Sequence, residues 1–116
     1  MSKELKHILI IETSPDKREV EHSMGCLIKM HYASLLIYVS GRVNKLWEDP
    51  EEICMDAFRK TFDWLRKGGR KYGDTIIGIL RSIARNEIQD RRRKKKLEYI
   101  AIETIQSKPA VNSTEH

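Results

Sequence analysis

Proline and glycine are scarce in this chain, three and six in 116 residues. That scarcity argues against a turn-rich β fold and for long regular elements. Cysteine is scarcer still. Cys26 and Cys54 stand far apart, each inside an apolar helical pattern, so a disulfide framework is excluded and both are expected as reduced core thiols. His7, His22, His31 and His116 are scattered and give no metal-ligand spacing. No apolar run approaches the roughly 20 residues that span a bilayer, and the run Ile8–Ile11 behind the basic start is too short for a secretory leader. The expectation is a cytoplasmic protein without membrane contact. Catalytic signatures are missing as well. Gly68-Gly69 lacks the spacing of a GxxxxGK phosphate loop, and there is no HExxH and no nucleophile elbow. Asp56 and Asp63 have no facing carboxylate. The chain is read as a non-enzyme without metal or cofactor.

What is present is helical periodicity. The apolar share of 40% and charged share of 34% describe one globular domain. Residues 1–15 read as a short N-terminal helix. The stretch His7–Asp16 has the look of the first strand of a phosphate-accepting receiver domain, but no alternating strands follow, so a strand is the lesser option. Ser14-Pro15-Asp16 reads as a turn or a helix start, with Pro15 in the first helical position. Val20, Met24, Leu27, Ile28, Leu35, Val39 and Val43 then mark one broad helical face, weakened at Gly25, and Gly41–Trp47 reads as a connector. Asp49-Pro50-Glu51-Glu52 is a strong helix start, with a cap, a first-turn proline and acids at the positive end of the dipole. Ile53, Cys54, Ala57, Phe58, Phe62 and Leu65 form the buried stripe that follows. After a glycine loop, Asp74 or Thr75 caps a helix whose apolar face is Ile76, Ile77, Leu80, Ile83, Ala84 and Ile88. Residues 97–116 read as a helical extension with a mobile tail from Ser107. The fold class is all-α, a compact bundle of three to four helices, with residues 16–96 as its main unit.

Charge is unevenly spread. Residues 59–96 hold fourteen Lys/Arg against four Asp/Glu, a net of +10; the remainder holds eight against thirteen, a net of −5. A basic segment of this kind points to a polyanion. Trp64 and Tyr72 flank the basic loop with Arg66, Lys67, Arg70 and Lys71, so an unpaired base could stack there while cations hold phosphates. Trp64 is equally readable as core, and Tyr72 as a loop anchor. On the next helix Arg85, Asn86, Gln89, Arg92 and Arg93 are candidate contacts, since amide side chains read base edges; ordinary helix surface is the alternative.

The order of features resembles region two of extracytoplasmic-function sigma factors over residues 16–96. Trp47-Glu-Asp-Pro-Glu-Glu-Ile-Cys-Met-Asp-Ala-Phe-Arg-Lys-Thr-Phe62 is similar to that family's core-polymerase-binding helix, with its acidic start and D-L-V-Q-E-x-F pattern. Leu80-Arg-Ser-Ile-Ala-Arg-Asn86 and Asp90-Arg-Arg-Arg93 are similar to its L-x-x-I-A-R-N and D-x-x-R patterns, and His31–Tyr38 suits its first long helix. Met55 stands where the family usually has Gln, and Ile79 where Trp is common. No second helix-turn-helix segment follows residue 96, so a fragment, a truncated member or a relative with another tether is expected. The resemblance implies a DNA-binding transcription initiation module that melts the promoter minus-ten element. Glu51, Glu52, Ile53, Met55, Asp56 and Arg59 would meet the clamp helices of the largest subunit of core RNA polymerase. The loop Leu65–Gly73 would capture a flipped base of promoter DNA, with Asn86 near it. Two other readings stand beside this one: a polymerase-independent DNA- or RNA-binding protein, and a protein-interaction module with an acidic partner such as an anti-sigma factor.

Overall fold

Each helix begins where a short polar side chain can take up the first free amides. The computed structural model describes residues 2–71 and 74–115, with side chains as far as Thr104. Helix α1 spans Lys3–Thr13, α2 Lys17–Ser40, α3 Pro50–Arg66 and α4 Ile76–Glu115. Ser2 Oγ accepts the Leu5 amide at 3.1 Å. The Asp49 carboxylate accepts the amides of Glu51 and Glu52 at 3.0 and 3.4 Å, with Pro50 in the first turn as expected. Thr75 rather than Asp74 caps α4, its Oγ1 accepting the Gly78 amide at 3.2 Å. One such cap contributes about 1 kcal/mol. Pro15 departs from expectation: it precedes the cap of α2. Ser14 Oγ accepts the Asp16 amide at 3.2 Å, and Asp16, held extended, accepts the Arg18 amide at 3.0 Å and takes the cap itself.

The four helices form an all-α bundle, with no strand among the described residues. Helices α1 and α4 both pack on α2 and α3 and, among the described residues, not on each other. The core joins Ile8 and Ile11 to Val20, Leu27, Leu35 and Val39, to the whole expected stripe of α3, and to Ile76, Leu80, Ala84 and Ile88. Thr61 joins it too, because its hydroxyl donates to the Ala57 carbonyl at 2.7 Å and leaves no polar atom unsatisfied. Helix α2 runs through Gly25 without a break and stops at Ser40, where the expected connector begins. The amides of Gly41 and Arg42 turn back onto Ile37 and Val39, and Val43 packs on the core from the connector. Cys54 is buried, whereas Cys26, expected in the core, is only half-buried. From Arg92 to Thr104 every residue of α4 is exposed. The helix continues past Ser107 to Glu115, where the sequence reading places a mobile tail.

Candidate nucleic-acid interface

The C-terminal end of α3, the loop after it and the first turns of α4 enclose an open hollow of about 550 Å³. It is lined by Trp64, Asp74, Thr75, Gly78, Ile79, Ser82 and Ile83. The Trp64 indole packs against the core and also lines the hollow. The loop reaches the indole through two glycines. Gly68 has φ +75°, in the region that favours glycine. Gly69 lies against the pyrrole edge, so that a Cβ there would stand 2.2 Å from Trp64 Nε1. From the hollow an exposed stripe continues along α4 at helical spacing: Gly78, Ser82, Asn86, Gln89 and Arg93, with Arg85 at its side. Asn86 and Gln89 therefore share a surface with the Trp64 hollow. Tyr72 lies outside the described residues.

The cations divide into two groups. Arg66 donates to the carbonyls of Ile11 and Ser14 at 3.0 and 3.1 Å and stitches the end of α3 to the end of α1. Arg70 holds Glu12 with two bonds at 3.0 and 2.9 Å. Arg92 holds Glu48 in the same way, at 3.0 and 2.9 Å, and donates to the Arg42 carbonyl at 2.8 Å. Those bonds hold the Glu48 carboxyl below its ordinary range, against the opposing effect of burial. Three arginines expected on DNA thus fasten the fold together. Lys67 pairs with Asp63 at 2.9 Å on open surface, and Arg93 stands 3.9 Å from Asp90. Lys71, Arg81, Arg85, Lys94, Lys95 and Lys96 have no carboxylate partner among the described residues.

The acidic face of α3 is also engaged. Arg91 bonds Glu52 at 3.2 Å, Glu87 at 2.9 Å and Asp56 in a close contact, while Lys60 reaches Glu87 from the other side. Burial alone would push the Glu87 carboxyl up; the bonds from Lys60 and Arg91 outweigh it and hold it below its ordinary range. Arg59 pairs with Asp56 at 2.9 Å. Ile53, expected as a partner contact, is fully buried and serves the core. Glu51 is exposed. Met55 is exposed at the rim of an apolar groove of about 320 Å³ between α2 and α3, lined also by Met24, Ile28, Phe58 and Phe62. The buried Cys54 thiol is pushed up to about 11 by desolvation and the nearby Glu51 and Asp49, which leaves it protonated and unreactive. No group of metal-ligating side chains occurs among the described residues, and no helix there is long and apolar enough to cross a membrane. Compared with protein-family models, curated proteins and solved structures, the chain matches none.

Proposed function

We propose that this chain is a nucleic-acid-binding module of transcription initiation, of the sigma region-two type, which traps an unpaired promoter base beside Trp64 while α3 docks on core RNA polymerase. The observation that carries the reading is the hollow itself. An aromatic wall, polar groups at Asp74, Thr75 and Ser82, and a donor-bearing stripe through Asn86 and Gln89 supply the stacking and edge contacts a flipped base needs. Its volume suits a small planar ligand. Met55, exposed at the rim of the apolar groove of α2 and α3, and exposed Glu51, four residues before it on α3, supply the polymerase-facing surface.

A second reading has an observation in its favour. Glu52 and Asp56, the acids the resemblance assigns to polymerase, already share Arg91 within the chain. A polymerase-independent single-strand-binding protein needs no such acids free. Capture of purified core polymerase separates the two. The variant used is Glu51→Lys/Met55→Lys, because reversing Glu52 and Asp56 would strand Arg91 and disturb the fold. Retention by the wild type that the variant loses supports the initiation module. Failure of the wild type to retain polymerase, with single-strand binding intact, refutes it in favour of the second reading.

A further inference from the structure

Arg42, from the connector after α2, and Arg81, from α4, converge on one ring. Their guanidinium carbons lie 3.7 and 5.4 Å from the centroid of Tyr38, in the last turn of α2. Tyr38 is half-buried and both arginines are exposed. One part of the arrangement has a local cause. Arg42 Nη1 donates to the Tyr38 carbonyl at 3.3 Å, covering the carbonyl end of α2, where a cation is favoured. That cause does not bring Arg81 to the same ring.

Two guanidiniums gathered on one phenol repel each other, and cation–π attraction offsets this only in part. Neither has a carboxylate within ion-pair distance among the described residues, in contrast to Arg70, Arg91 and Arg92. Each guanidinium carries five N–H donors. Among the described residues Arg42 spends one set on a carbonyl and Arg81 spends none. The cradle is braced from below, where Arg92 donates to the Arg42 carbonyl. Arg85 and Gln89 follow Arg81 at intervals of four residues, about 6 Å along the helix, so donors continue from the cradle along α4.

We propose that Arg42 and Arg81, held on Tyr38, form a site for one backbone phosphate of a single nucleic-acid strand. The inference rests on the nucleic-acid reading of α4 and adds a contact on α2 and its connector, which that reading does not include. The ring is occupied by guanidinium groups, so the site takes phosphate rather than a stacked base. It would hold the strand on the flank of α4 while a base enters the Trp64 hollow.

Binding of a short fluorescein-labelled DNA single strand, followed by anisotropy across a salt series, tests this on the full chain. Arg42→Ala/Arg81→Ala is expected to weaken binding about tenfold, as loss of charged hydrogen bonds does. It should also lower the slope of log affinity against log salt by about 0.7, the value for one phosphate of a single strand. Tyr38→Phe keeps the ring and should bind as the wild type; Tyr38→Leu should lose part of what the double variant loses. Circular dichroism checks that each variant is folded. Unchanged affinity and slope in the double variant, with loss in Trp64→Ala, overturns the phosphate site and leaves the interface reading standing. No binding of the strand by the wild type overturns both. Binding to phosphatidylserine vesicles that the double variant loses, with DNA affinity unchanged, assigns the cradle to a lipid headgroup and overturns the proposal.

Discussion

Arg91 joins three carboxylates, and removing it tests whether the charge network stabilises the bundle. Its side chain is 30% exposed, that of Glu87 10%, Asp56 19% and Glu52 61%. Truncating one member of a fully buried pair costs about 3–5 kcal/mol, and an exposed pair contributes about 0–1. The Glu52 contact belongs to the second class and the other two lie between. Lys60 still reaches Glu87 after truncation and limits the loss. Arg91→Ala should therefore cost about 2 kcal/mol, and at about 4 °C per kcal/mol for a domain of this size the melting temperature falls by about 8 °C. Arg91→Lys, which keeps one charge but cannot reach all three carboxylates, should fall between. Acid supplies the internal control. Glu87 is held below its unfolded value near 4.5, so its contribution is full above that pH and is lost as pH falls through the lower folded value. Melting followed by circular dichroism should show a large gap between wild type and Arg91→Ala at neutral pH that narrows in acid. A gap under about 2 °C at neutral pH, as an exposed pair would give, refutes the reasoning.

Two further outcomes follow from single side chains. Gly69→Ala places a methyl group where Trp64 Nε1 now lies, 2.2 Å from the new Cβ, so the indole must move. In a Trp47→Phe background the emission of Trp64 should shift, and stability should fall by about 1–3 kcal/mol, the usual cost of overpacking; unchanged emission would contradict the close approach. Cys54, held up to about 11, should resist a thiol reagent in the native protein at about pH 8, while half-buried Cys26 reacts. Mass spectrometry of the labelled chain reads this directly, and native labelling at Cys54 would overturn its burial.

The helices were legible because their signals are local. Asp49-Pro50 carries its own start, and the spacing of Ile53, Cys54, Ala57, Phe58, Phe62 and Leu65 names a buried face without knowledge of its partner. The same spacing also shows why Ile53 could not be a partner contact: one residue of a buried stripe cannot serve an outer surface. Pro15 misled because a cap is decided by single hydrogen bonds, here from Asp16 to Ser14. The charge pairs were out of reach. Arg70 and Glu12 are 58 residues apart, Arg92 and Glu48 are 44 apart, and periodicity fixes the face a side chain occupies but not what stands opposite. The Tyr38 cradle was hidden for the same reason.

Those long-range pairs change what the charge asymmetry means. A segment with a net of +10 argues for a polyanion only if its counter-charge is absent from the chain. Here much of it is present: Glu12, Glu48, Glu52 and Asp56 from the acidic remainder or the helix before it close on Arg70, Arg92 and Arg91. The acidic and basic parts lock one onto the other, and the total charge stops being an argument for a ligand. What bears on a ligand is where unpaired cations remain. Lys71 stands in the loop after Gly69, and Arg81, Arg85 and Lys94–Lys96 run along α4 from the neighbourhood of the Trp64 hollow. Those six cations, with Arg42 from the connector, bound the salt slope on single-stranded backbone at about 5, where all fourteen of the basic segment would give about 10. A shallow slope therefore fits an interface that holds a strand at a few fixed points, and it is the geometry of those points, not the basic composition, that carries the functional reading.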